Sequence, residues 1–288
     1  MSKFINPFTD YGFKLIFGRE VSKILLIEFL NDLLEGERVI TDLTFLNNEQ
    51  LPDYPEGRGI IYDVYCTTDT GEKIIVEMQN RMQSNFKERS IFYLSRAIVN
   101  QGRTGHDWKF EIKAVYGVFL MNFIMDKNIK LRTDVILADK ETGELFSEKF
   151  RQIFIALPLF KKSEEECETN FERWIYILNN METLKRLPFK ARKAVFEKLE
   201  EIADVASMSP KERELYDNSV KVYRDYLVTM DAAEKEGIKK GMEEGLKKGR
   251  EEALNIFQTA IDMKKQGIDN QLIAEKTGLP LSLIESLK

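Results

Sequence analysis

Residues 60–79 read IIYDVYCTTDTGEKIIVEMQ, and this stretch decides the fold class. Two runs rich in β-branched and aromatic residues flank TTDTGE, the composition of two strands joined by a tight turn. A loop of Asp69, Thr70 and Gly71 puts Gly71 at the left-handed position of a type I turn followed by a bulge, which glycine adopts without steric cost. That turn sets the register: Thr68 faces Glu72, Asp63 faces Glu77 and Ile61 faces Gln79. Facing residues share a side of the sheet, as do residues two apart along a strand. Asp63, Glu77 and Gln79 are therefore predicted on one side, between Ile61 and Ile75. The other side carries Tyr62, Val64, Cys66, Ile74, Val76 and Met78 and reads as a core face.

Two carboxylates on adjacent strands of an otherwise apolar hairpin need a reason. Like charges about 5 Å apart repel, and burial raises the cost. A divalent cation removes both problems, and Mg²⁺ takes one or two carboxylates together with waters and phosphate oxygens. A pair of acids on the wet side of a one-sided sheet is the competing reading, and spacing alone leaves both open.

Outward from the hairpin, Thr9 is a candidate N-cap for a helical run from Asp10 to Leu34, with Gly18 dividing it into two helices. Further strands are predicted at Val39–Leu46, Lys113–Phe123, Thr133–Ala138 and Lys149–Leu157. Asn85 to Gln101 reads as a helix with Ile91, Leu94 and Ile98 inward. This order is that of an α/β protein. After it the texture turns helical, with stripes at Phe171, Trp174, Ile175, Leu178 and at Val195, Phe196, Leu199, Ile202. Three regions follow from these changes of pattern: 1–160, 161–230 and 231–288.

Composition narrows the chemistry. With 43 Lys and Arg against 48 Asp and Glu the net charge is −5, so the chain is not a globally basic nucleic-acid protein, although a local basic groove remains open. At 43% apolar residues it can build a large core. It has one His, His106, and two Cys, Cys66 and Cys167, far apart in sequence, which disfavours a zinc site or a His-dependent nucleophile. His106, in the loop TGHDW, reads as a surface residue rather than a base. Chemistry by carboxylates is the better expectation. The opening MSKFINPFTDYGF lacks the pattern of a signal peptide, no run nears the roughly 18 apolar residues of a membrane span, and two distant Cys fit a reducing compartment. The expected location is cytoplasmic.

Asp63, a hairpin, then Glu77-Met78-Gln79 resembles the PD-(D/E)xK phosphodiesterase signature. The opening NPFTDYGFKLIFG, the IVEMQN stretch and FKERSIFYLSRAIVNQG, in that order, are similar to the PD-(D/E)xK nuclease family transposases, or recombination-promoting nucleases. The resemblance spans most of residues 1 to about 123. It implies a restriction-endonuclease-like mixed β-sheet flanked by helices, followed by an all-helical C-terminal region, and a Mg²⁺- or Mn²⁺-dependent DNA endonuclease. Asp63 and Glu77 match the metal-binding acids and Gln79 the place usually held by Lys. Gln supplies hydrogen bonds but neither charge nor a base. Tyr62 stands where the signature has Pro. Asp10 matches an acidic position that often joins the metal shell, though an Asp after Thr9 also suits a helix N-terminus. Lys14, Arg89, Tyr93 and Arg96 are candidate phosphate contacts or, equally, solvated helix faces. A degenerate nuclease fold kept for DNA binding or helical assembly is the rival implication.

In the tail, Gly237, Gly241, Gly245 and Gly249 recur at a spacing of four within EKEGIKKGMEEGLKKGREE. Each glycine costs a helix about 1 kcal/mol relative to Ala. The stripe either admits a second helix, such as that of another copy, or belongs to a solvated linker held by Glu–Lys pairs. The end, QLIAEKTGLPLSLIESLK, has helix–turn–helix spacing. Its last helix offers Ser282, Glu285, Ser286 and Lys288, poor for reading DNA, so a helical hairpin used in packing or assembly is expected.

Overall fold

A computed structural model describes residues 2–51, 59–103, 108–189 and 193–287. The chain divides into two compact units, Met1–Tyr223 and Arg224–Lys288. The first is built on a six-stranded mixed sheet. In chain order it contains helices α1 (Asp10–Phe17) and α2 (Lys23–Leu33), then strands β1 (Leu43–Phe45), β2 (Glu49–Gln50), β3 (Ile60–Ile61), β4 (Val64–Thr68) and β5 (Lys73–Gln79). Helix α3 (Phe86–Val99) leads to β6 (Val115–Met121), β7 (Arg132–Ala138) and β8 (Leu145–Ala156), followed by α4 (Asn170–Asn180), α5 (Val195–Ala203) and the beginning of α6 (Pro210–Lys265), whose remainder belongs to the second unit. The sheet order is β1-β4-β5-β6-β8-β7, with β5, β6 and β8 parallel and the outer pairings antiparallel. Helix α3 is the crossover that the parallel β5–β6 pair requires.

The hairpin turn forms as its sequence dictates. Gly71 sits at φ +94°, its N–H donates to the Thr68 carbonyl at 3.0 Å, and Thr68 N–H donates to Glu72 at 2.9 Å. Val64 faces Val76 and Cys66 faces Ile74, the register expected from the turn. The helical run breaks after Phe17, and Gly18 caps α1 by donating to the Lys14 carbonyl at 2.8 Å.

Both sides of the sheet are buried. One packs Val64, Cys66, Ile74, Val76 and Met78 against α1, α2, α4 and α5, with Phe17, Phe29, Trp174 and Phe196 in edge and tilted ring contacts. The other packs Tyr65, Ile75, Val115, Phe119 and Phe154 under Phe86, Leu94 and Ala97 of α3. Two expectations are corrected here. Ile91 is half exposed, because α3 rests on the sheet through Phe86, Ser90, Leu94 and Ala97. Tyr62 belongs with Tyr65 and Ile75 on the α3 side, for a reason seen at the site below.

The NPFTDYGF opening is a knot. Asn6 Oδ1 accepts from Phe8 N–H at 2.8 Å, its carbonyl accepts from Thr9 Oγ1 at 2.8 Å, and Thr9 Oγ1 accepts from Gly12 N–H at 3.0 Å as the N-cap of α1. A Cβ on Gly12 would stand 2.2 Å from the Asn6 carbonyl oxygen, so only glycine fits. Asn6 also donates to Glu182 at 2.7 Å and, through its N–H, to Tyr216 Oη at 2.8 Å, while Tyr11 N–H donates to Ser219 Oγ. The first turn of the protein is thereby tied to α6.

In the second unit α7 (Asn270–Thr277) and α8 (Leu281–Ser286) are joined through Gly278, at φ +71°. Ile273 and Ile284 close a small core with Ala260 of α6, and Lys264 Nζ donates to the carbonyls of Ile284, Glu285 and Leu287 at 2.6, 3.2 and 2.6 Å. This is the expected helical hairpin. Gly237, Gly241, Gly245 and Gly249 lie within α6, and added Cβ atoms there would meet nothing within 4 Å among the described residues.

Candidate metal and phosphodiester site

The strand that carries Asp63 is broken at Asp63. β3 ends at Ile61 and β4 begins at Val64, so the run does not continue as one strand. Ile61 faces Glu49 of β2, not Gln79 as the extended register predicts. Asn48 holds the break from both sides: its carbonyl accepts from Tyr62 N–H at 3.0 Å and its Nδ2 donates to the Asp63 carbonyl at 2.9 Å. The interruption ends the two-residue alternation, which is why Tyr62 turns to the α3 side. There its hydroxyl donates to the Tyr93 carbonyl at 3.0 Å and its ring meets Tyr93 edge-on at 5.4 Å.

Despite the break, Asp63 and Glu77 come together. Asp63 N–H donates to Glu77 Oε1 at 3.1 Å, and Met78 N–H donates to Asp63 Oδ2 at 2.9 Å. Glu77 is only 3% exposed. Burial, and then the neighbouring Asp63 charge, push the Glu77 carboxyl well above the usual carboxylate range, against the pull of the Asp63 N–H, Arg89 and Gln79. Burial likewise pushes Asp63 up, against the Met78 N–H and the charges of Lys14 and Arg89, while Asp10 adds to the rise.

Gln79 extends the pair into a chain of polar groups. Its Nε2 donates to Glu77 Oε2 at 2.9 Å and its Oε1 accepts from Arg89 Nη2 at 2.5 Å. Arg89 Nη1 donates to Gln83 at 2.7 Å, and the guanidinium lies 5.8 Å from the Phe86 ring and 5.5 Å from that of Tyr93. The Arg89 bond orients the amide, with its NH₂ toward the acid and its oxygen toward the cation. Arg89 thus supplies from α3 the positive charge that Gln79 lacks.

The other candidates stand further out. Asp10, in the first turn of α1, is exposed and bonded to Lys14 Nζ at 2.7 Å. Both act electrostatically on Asp63. Tyr93 is shared between Tyr62 and Arg89. Arg96 Nη2 donates to the Leu51 carbonyl at 2.8 Å and so anchors α3 to the chain beyond β2. His106 lies outside the described residues. Cys66 and Cys167 are buried thiols, and burial pushes the Cys66 thiol up to about 12. Sequence reasoning missed Asn48, Gln83, Asn80 and Asn122. Asn80 donates to the Phe8 carbonyl at 2.7 Å and Asn122 N–H to the Gln79 carbonyl at 2.8 Å, which steadies the end of β5. Amides beside a strand end were the available signal.

Among the described residues, no three His, Cys, Asp or Glu gather into a metal-binding group. The donors that do meet, Asp63 and Glu77, are hard oxygens suited to Mg²⁺ or Mn²⁺, and a cation there would relieve the burial and repulsion that raise both acids. The fit to a divalent ion is therefore good, with two protein carboxylates as its share of the shell.

A mixed sheet flanked by helices on both sides, with an Asp just before one strand and a Glu-x-Gln on the next, defines a restriction-endonuclease-like nuclease fold. Residues 7–233 match the family model of the PD-(D/E)XK nuclease family transposases, and the chain belongs to that family. No curated protein and no solved structure matches it. No helix among the described residues is long and apolar enough to cross a membrane.

Proposed function

We propose that the protein is a divalent-metal-dependent endonuclease that hydrolyses phosphodiester bonds of DNA, in the service of recombination or transposition. The observation that carries this is the meeting of buried Glu77 and half-buried Asp63, two acids whose burial and mutual repulsion a cation would relieve. Asp63 and Glu77 would hold Mg²⁺ or Mn²⁺, which when bound neutralises phosphate charge and makes water more acidic. Gln79 holds a water or a phosphate oxygen through its amide, set in orientation by Arg89. Arg89 brings positive charge close to the scissile phosphate, with Lys14 adding to it and its ion-pair partner Asp10 moderating it. Tyr93 offers an aromatic surface and Arg96 a second cationic anchor for the strand. The glycine stripe of α6 is read as a surface on which a second copy pairs.

Incubation of the purified protein with supercoiled plasmid tests the activity. Nicked or linear DNA should form with Mg²⁺, not with EDTA, and not with Asp63→Ala, whose thermal melt should stay near that of the parent. Equal cleavage by Asp63→Ala would sink the site assignment.

A further inference from the structure

At the end of the sheet where β5 and β6 begin, a cleft of about 900 Å³ lies beyond the last turn of α3. The run of β5 from Lys73 to Gln79 sets it about 20 Å from the amide that flanks the acids. Nothing in the proposed reaction uses it. Lys73, Arg103, Lys113 and Lys149 line it, and the one acid among the described lining residues is Glu111. Arg103, Lys113 and Lys149 are exposed, and among the described residues none of the four cations bonds to a carboxylate. Burial pushes the Lys73 ammonium below its usual range, and an anion beside it would reverse that. In a chain of net charge −5 the cleft is a local excess of positive charge, complementary to a polyanion.

Its aromatic residues narrow the ligand further. Trp108 and Phe110 share the lining, with ring centroids 4.6 Å apart and planes tilted by 37°. Phe110 is 77% exposed and sits at φ +57°, a left-handed conformation that a bulky side chain adopts only at a cost. Its carbonyl accepts from Ile112 N–H at 2.9 Å, which closes a tight turn. Strain that turns a large ring to water instead of into a core points to a contact surface. The loop is anchored behind the rings: Gln101 Oε1 accepts from Lys113 N–H at 2.7 Å, and its Nε2 donates to the Lys113 carbonyl at 3.2 Å. An acidic peptide would engage the cations but leave the rings idle, and a duplex keeps its base faces covered. Phosphates beside open base faces answer both sets of residues. We propose that this cleft binds unstacked single-stranded DNA, with Phe110 and Trp108 carrying bases and the four cations holding phosphates. The choice of DNA rests on the nuclease reading above. A strand held there would bring a frayed or branched duplex to the acids.

Tryptophan fluorescence of the full chain reads this directly. The chain has two tryptophans, and Trp174 is wholly buried, so a stacked base is reported by Trp108. In EDTA, a single-stranded DNA oligonucleotide should quench the emission saturably, and a duplex of the same sequence should quench it far less. Phe110→Ala should weaken binding about tenfold. Lys113→Glu with Lys149→Glu should weaken it more, and should flatten its salt dependence by about 0.7 in log–log slope per lost phosphate contact. All three side chains are exposed, so the melts of these variants should match the parent. The proposal is overturned if the oligonucleotide does not quench or if duplex binds equally. It is also overturned if polyglutamate competes as well as DNA, if RNA of the same sequence binds more tightly, or if Phe110→Ala binds like the parent. Binding in EDTA involves no cleavage: plasmid nicking without oligonucleotide binding would sink this site alone, and binding without nicking would sink the nuclease reading alone.

Discussion

Glu77 occupies a place that disfavours its own charge. A carboxyl whose pKa is higher folded than unfolded holds its proton longer in the folded state. Folded protein then binds more protons than unfolded, and stability falls as pH rises from about 4.5, the ordinary value, toward the raised one. Glu77→Gln removes that loss. In metal-free buffer it should melt higher than wild type at neutral pH, by of order 1–2 kcal/mol, and urea melts across pH would show the advantage fading in acid. The same raised acids make metal binding a competition with protons. Mg²⁺ or Mn²⁺ affinity should therefore climb with pH up to the raised pKa, and calorimetry in two buffers of different ionisation heat should report proton release. Binding without proton release, or affinity flat in pH, would contradict the placement of the ion on Glu77. That Asp63 and Glu77 come together was legible in sequence because the Gly71 turn lays the two runs side by side, although the paired register itself ends at Val64. Asn48 and Gln83 were not, because each acts through a contact that local pattern does not encode, one from the bend before β2 and one from the loop that leads into α3.

Among the elements, the hairpin was readable to the residue at its turn and misread at its far end. β4 and β5 keep the register that Gly71 imposes, whereas β3 leaves to pair with β2, a partner that only the tertiary fold supplies. For α3, periodicity gave the helix but not its inward stripe, since a sheet crossed by a short helix needs only four buried positions, Phe86, Ser90, Leu94 and Ala97. The opening helix allows a sharper test. Because a Cβ on Gly12 would collide with the Asn6 carbonyl and with Thr9 Oγ1, at 2.2 and 2.7 Å, Gly12→Ala should cost about 3 kcal/mol or more. Thr9→Ala, which removes only the cap bond, should cost about 1 kcal/mol. Chemical denaturation that found Gly12→Ala harmless would show that the Asn6–Gly12 loop relaxes freely.

At the level of the whole molecule, the α/β order and the later helical stripes were legible because each is written in local periodicity. What sequence alone left unread is that α4, α5 and the beginning of α6 complete the core of the sheet unit, since their partners lie far away in the chain. α6 carries a further expectation. Its glycines have room for a methyl group, so Gly241→Ala with Gly245→Ala should strengthen the isolated helix by about 1 kcal/mol per site. If a second copy packs on that stripe, the same pair of changes should weaken self-association, which light scattering would detect as a shift toward monomer. A rise in helix content with unchanged oligomeric state would assign the stripe to a solvated helix instead.

The knot at Asn6, Thr9 and Gly12 has a consequence for how such chains are recognised. The residues that make the opening so distinctive to the eye do no chemistry; they hold the first turn against Glu182, Tyr216 and Ser219. Selection for a folded chain alone would preserve them. A descendant that had lost Asp63 or Glu77 would thus still announce its ancestry at its beginning, and a few residues of the hairpin would be the record of whether it had kept its trade.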